Sequence, residues 1–202
     1  MTGTVRAAST IQTYARSVRA FCAFLVRQGD LECTPFVKGT VPKADLRCPQ
    51  IIDPEHFEQL LDACGPSGEL ADQGASRNRA LLWLFLETGL SVSEVCALRV
   101  RDVDRAHGQL LIQGKGPKAR RVLLGEQVSR HLWFYLDAYR LKAVGGITGD
   151  TPLFLSERHQ QLVPNTITLL LARLHQRAGI TAQQISPTML RDTFAVCYLQ
   201  AG

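Results

Sequence analysis

Residues 77–90, RNRALLWLFLETGL, constrain what this chain can fold into more than any other stretch. Leu81, Leu82, Leu84, Phe85 and Leu86 leave almost no polar face at 3.6 residues per turn, so the segment reads as a helix buried in the middle of a domain. Such a helix needs cover on several sides, and amphipathic segments supply it. One runs from Asp53-Pro54-Glu55, a helix start with a cap residue, a proline at the first helical position and an acid in the first turn, through Phe57, Leu60, Leu61 and Cys64. Others cover 129–141 (Leu132, Tyr135, Leu136, Tyr139) and 164–178 (Ile167, Leu170, Leu171, Leu174). Ser186-Pro187 opens a last helix, with Leu190, Phe194 and Cys197 facing inward.

Gly89 stops the central helix, and Ser91-Val-Ser-Glu94 has the form of a capping box for a second one over 92–98. Two runs rich in Leu, Ile and Val, 109–113 and 120–124, flank Gly-Lys-Gly-Pro-Lys and read as a β-hairpin with a basic turn. The expected fold class is therefore mainly α with a small antiparallel β-sheet (α+β). Ahead of it, a lone amphipathic helix over 10–28 carries Ile11, Tyr14, Val18, Phe21, Cys22 and Leu25 and stops at Gly29. Pro35, Pro42 and Pro49 with Gly39 then mark an extended linker, which divides the chain into 1–34, a linker 35–51 and a domain 52–202. Residues 65–75 read as a loop rich in Gly and acid.

Charge is unevenly spread. Residues 99–142 hold ten basic against four acidic side chains, a local +6 in a chain of net +5. Residues 48–98 hold eight acids and two bases, so that face should turn away from a polyanion. No apolar run approaches the roughly 18 to 20 residues needed to span a bilayer, and no apolar signal core opens the chain, which points to a cytoplasmic protein with no membrane partner. The six cysteines show no C-x-x-C pair and no histidine at zinc-ligand spacing, so no metal is expected; Cys22, Cys64, Cys96 and Cys197 fall at helical apolar positions, as reduced core residues would. His107, His131 and His159 match no catalytic pattern and read as surface or loop residues.

Three motifs in order carry a resemblance: Thr88-Gly-Leu-Ser-Val-Ser-Glu94 with Leu98 and Asp102, Gly114-Lys-Gly-Pro-Lys118 with Arg120 and Val122, and Ser186-Pro-Thr-Met-Leu-Arg-Asp-Thr-Phe-Ala195. In these the chain resembles the tyrosine recombinases of the phage integrase type, from about residue 52 to 202. The resemblance implies a catalytic-type domain preceded by the last helix of a helical core-binding domain. It implies double-stranded DNA as partner, other recombinase subunits as further partners, a nucleoid-associated location, and no metal or small-molecule cofactor. The family's chemistry transfers a backbone phosphate to a tyrosine; it needs cations around a phosphorane that gains charge and an acid for the leaving oxygen.

Carried over by position, Arg191 is the second catalytic arginine and Lys115 the hairpin lysine that acts as general acid. Lys118, Arg120 and Arg121 are DNA-binding candidates, either phosphate contacts or a solvated face. Glu94 and Asp102 support the fold around the site. Ser91 stands where the family has its first arginine and reads as a helix cap, and Thr188 stands where it usually has histidine. The family's second histidine and tyrosine nucleophile have no counterpart in these 202 residues; Tyr14, Tyr135, Tyr139 and Tyr198 fall at none of the right places. The expectation is a DNA-binding member of the family, inactive as the chain stands. The alternative is a non-catalytic module that regulates an intact recombinase through protein contacts.

Overall fold

The structure is a computed structural model that describes residues 8–36, 48–114, 119–140 and 149–201. It falls into two compact units, Met1–Cys48 and Pro49–Gly202. Residues 37–47 of the expected linker, together with Lys115 and Lys118, lie outside the described residues.

In the first unit, helix α1 spans Ala8–Gln28. It ends as a helix closed by glycine does: Gly29 takes φ +83, its N–H reaches the Val26 carbonyl, and the Asp30 N–H reaches that of Leu25. Its apolar stripe is largely uncovered within the unit, with Ile11, Val18, Phe21 and Phe24 exposed and Cys22 buried. The Arg19 guanidinium lies over the Phe36 ring at 5.8 Å.

The second unit is organised around α3, Gln73–Thr88. Ala80, Leu81, Leu82, Leu84 and Phe85 are each at most 1% exposed, which matches the all-round apolar pattern read from the sequence. Helices α5 (Glu126–Tyr135) and α7 (Pro187–Ala201) pack on it, while α2 (Pro54–Ala63) and the short α4 (Val92–Ala97) pack on α6 (Pro164–Ala178). Strands β1 (Val103–Asp104), β2 (Gln109–Gln113) and β3 (Ala119–Leu123) form an antiparallel sheet in that order. β2 alternates strictly: Leu110 and Ile112 face the core, and Leu111 is exposed.

Several boundaries differ from the sequence reading. α3 begins inside the segment read as loop, because the Asp72 carboxylate accepts the Ala75 N–H at 2.6 Å and nucleates a first turn that carries no apolar stripe. Removing that cap by Asp72→Ala is expected to cost about 1 kcal/mol; urea unfolding measures it, and an unchanged midpoint would contradict it. Asp53 sits at the N-cap of α2 but its carboxylate makes no cap hydrogen bond; it faces His56 at 3.5 Å instead. The helix read over 129–141 starts earlier, at Glu126, and relaxes to a π-helical turn over Leu136–Arg140. That turn lets the buried Arg140 donate to the carbonyls of Leu153 (3.2 Å) and Pro152 (2.6 Å), and Tyr139 to that of Ala71.

Two side chains correct the sequence reading outright. Cys197 is exposed, not inward, because α7 leaves the core after Thr193; Tyr198 and Leu199 beside it are 70% and 79% exposed. His131 is no loose surface residue: its ring stacks on Trp83 at 6.4 Å, and burial, aided by Arg130 and Arg79, pushes its pKa down. No described helix is long and apolar enough to cross a membrane.

Candidate nucleic-acid interface

Local rules bring two of the three motifs to one corner. α3 closes on Gly89, whose left-handed conformation (φ +58, ψ +23) turns the chain sharply toward Leu90 and Ser91. Gly89 is also where α7 comes in. The Phe194 ring rests on it so closely that any Cβ there would run into the ring. Phe194 lies one turn beyond Arg191 on α7, so the Gly89–Ser91 turn and the arginine's helix are in direct contact.

At the turn, Ser91 forms a full capping box. Its Oγ accepts the Glu94 N–H at 3.3 Å, and Glu94 Oε2 accepts the Ser91 N–H at 2.8 Å and its hydroxyl at 2.7 Å. The other carboxylate oxygen, Oε1, takes an N–H of Arg120 from β3 at 2.6 Å. Burial alone would raise the Glu94 pKa, but the donors from Arg120 and Ser91 overcome it and bring it down to about 2. A carboxyl with a depressed folded pKa adds stability that is present above its unfolded pKa, near 4.5, and lost as pH falls toward 2. Glu94→Gln is therefore expected to flatten the decline in stability between these pH values. Chemical unfolding across that window checks it; parallel decline in both proteins would contradict it.

Register separates two arginines that the sequence treated alike. Arg120 pairs with Ile112 and Arg121 with Leu111 across β2 and β3. Directly opposed residues share a face. Arg120 therefore lies on the sheet face that carries the buried Ile112 and reaches Glu94, whereas Arg121 lies on the outer face with the exposed Leu111 and is itself exposed. Period-two alternation along 119–123 is the sequence signal that carries this split.

α7 is positioned from within. The Met189 N–H reaches Ser186 Oγ at 3.2 Å, which caps the helix. Thr193, 5% exposed, donates to the Met189 carbonyl at 2.8 Å and accepts the Ile52 N–H at 2.9 Å, tying the helix to the start of the domain. Thr188 and Arg191, three residues apart, are both exposed, and neither has a hydrogen-bond or ion-pair partner among the described residues. Asp102 is buried and accepts the Arg99 N–H at 2.8 Å, which closes the turn that leads into β1.

A cleft of about 640 Å³ lies elsewhere, lined in part by Arg77, Arg158, Arg173 and Arg177; none of Ser91, Glu94, Arg120, Thr188 or Arg191 lines it. No group of three or more His, Cys, Asp and Glu among the described residues is placed to hold a metal ion.

This architecture, a helical domain with one small antiparallel sheet, is shared with solved recombinases. The XerA recombinase superposes with a TM-score of 0.64 at 25% identity, over 88% of this chain and 57% of that one. The Tn1549 transposon integrase, solved in complex with transposon right end DNA, reaches 0.73 at 20% identity, over 98% and 68%. The phage integrase family matches residues 50–202, and the chain belongs to that family. Among curated relatives, tyrosine recombinase XerC of Bacillus pumilus is 34% identical over 195 residues, 96% of this chain and 62% of that protein. XerC of Pelobacter propionicus is 33% identical over 187 residues, 92% and 58%. The chain thus spans about 60% of the length of the curated relatives it matches.

Proposed function

We propose that the second unit binds double-stranded DNA at its backbone phosphates, through the corner where the Ser91 turn packs on α7 and Glu94 holds Arg120 of β3. One observation carries this reading: the contact between Gly89 and Phe194, which sets the helix carrying an exposed Arg191, with no partner among the described residues, against the turn that leads into Ser91, to which Glu94 holds Arg120. A planar guanidinium can bind two phosphate oxygens at once. Arg121 adds an exposed cation on the outer face of the hairpin; by the family resemblance Lys115 and Lys118 are further DNA-binding candidates, Lys115 at the position of the family's general acid. The family match and the DNA-bound integrase of similar fold support DNA as the ligand. On this reading α1 is the last helix of a core-binding domain, 35–51 its linker, and the protein works in the nucleoid beside other recombinase subunits.

The proposed site holds phosphate better than it turns it over. Ser91 supplies a hydroxyl already engaged by Glu94, and Thr188 a short neutral side chain, where the family's chemistry uses an arginine and a histidine. Mobility-shift titration of a labelled duplex at two salt concentrations tests the binding. The expected result is a complex at low salt that weakens steeply at the higher one, because each neutralised phosphate releases counterions; no complex even at low salt would contradict it.

A second reading, a regulatory module that docks on an intact recombinase, is favoured by the exposed apolar stripe of α1. Co-purification with an intact recombinase that persists after nuclease treatment would support it over the first.

A further inference from the structure

We infer that Arg120 is the anchoring cation of the Ser91 corner, held by Glu94 to grip one DNA backbone phosphate together with Arg191, and is not one of several interchangeable hairpin contacts. The inference rests on the DNA-binding reading above and gives it a specific residue.

Glu94 divides its two carboxylate oxygens: Oε2 receives both donors of Ser91, and Oε1 receives Arg120 Nη1 at 2.6 Å. One carboxyl group is all that separates the guanidinium from the hydroxyl of a residue that carries no charge itself. The ion pair occupies one N–H of five. The Arg120 side chain is 49% exposed, and its remaining donors have no partner among the described residues. A guanidinium pinned at one nitrogen loses less freedom on meeting a ligand than an unrestrained one, and its planar fork presents the other N–H groups in a fixed direction. Because Glu94 stays ionised down to about pH 2, the tether holds throughout the neutral range. Arg121, on the opposite face of the sheet, has no such tether among the described residues. The arrangement sets guanidinium donors at a corner where position 91 offers none, and the Gly89–Phe194 contact sets the helix that carries Arg191 against the turn leading into Ser91.

The test is fluorescence anisotropy with a fluorescein-labelled DNA duplex at low salt, on the whole chain and its variants. Arg120→Ala is expected to weaken binding by about tenfold or more, the scale of a hydrogen bond to a charged group, and Arg121→Ala by clearly less. Arg120→Gln keeps a donor for Glu94 but no charge, and should lose as much affinity as Arg120→Ala while melting like the parent; this separates a lost ligand contact from a lost fold. Ser91→Arg restores a guanidinium to the corner, and should recover most of the affinity in the Arg120→Ala background while adding little to the parent, a non-additive pair. Equal losses at positions 120 and 121, or Ser91→Arg improving both backgrounds by the same factor, would overturn the inference and leave the DNA-binding reading standing. No binding by the parent at low salt would overturn both.

Discussion

Incubated with a nicked duplex that traps cleavage intermediates, this chain is expected to leave no covalent protein–DNA adduct. Removing one preorganised donor to a charged transition state typically costs roughly 10²- to 10³-fold in rate. By the family resemblance, Ser91 and Thr188 stand at two positions where the family's chemistry uses such donors. Ser91 cannot be reassigned, since its hydroxyl and its amide are both bonded to Glu94. Thr188 is exposed on the first turn of α7, too short and neutral to share a proton with a phosphate oxygen as an imidazole does. Acting independently, the two losses amount to roughly 10⁴- to 10⁶-fold, enough to take strand cleavage below detection. An adduct that survives denaturing electrophoresis and disappears on protease treatment would contradict this.

The second large effect concerns the fold of the same corner. Gly89→Val is expected to destabilise the second unit by roughly 3 to 5 kcal/mol, combining the strain of a β-branched residue at φ +58 with a side chain forced against Phe194. For a domain of this size that is a fall of about 10 °C in melting temperature. A double variant with Phe194→Ala should recover the packing part and none of the backbone part, so the two substitutions would be clearly non-additive. A loss below about 1 kcal/mol in urea unfolding would mean that the Gly89–Phe194 contact is not what seats α7.

How much of this was legible in the sequence depended on whether a signal was local. The all-round apolar helix, the glycine stop at Gly89, the Ser91–Glu94 capping box and the α6 span Pro164–Ala178 are written in neighbouring residues, and the structure has them where the sequence put them. The start of α3 was not legible, because Gln73-Gly74-Ala75-Ser76 carries no apolar periodicity, is interrupted by a glycine, and is set by one carboxylate. The π-helical turn was hidden for a different reason: the acceptors that its Arg140 reaches, the carbonyls of Pro152 and Leu153, lie beyond the helix. The two-residue β1 is too short to carry alternation.

The candidate site shows the same division. Motif spacing named Glu94, Arg120, Ser91, Thr188 and Arg191, but it could not say that Glu94 takes Ser91 on one oxygen and Arg120 on the other. It also could not say that a glycine would bring α7 against the turn. Both follow from tertiary contacts between segments 26 and 105 residues apart. Cys197 was misplaced because helical spacing gives the direction of a face and not how far the core extends along it.

The most direct test of phosphate binding at this corner is the salt dependence of duplex affinity for the parent chain and for Arg191→Ala. Affinity is expected to fall linearly on a double-logarithmic plot for both, with the slope of the variant shallower by about one phosphate contact and its affinity lower at every salt concentration. Identical slopes and affinities would mean that Arg191 meets no phosphate, and that the corner between α4, β3 and α7 is not where this protein holds DNA.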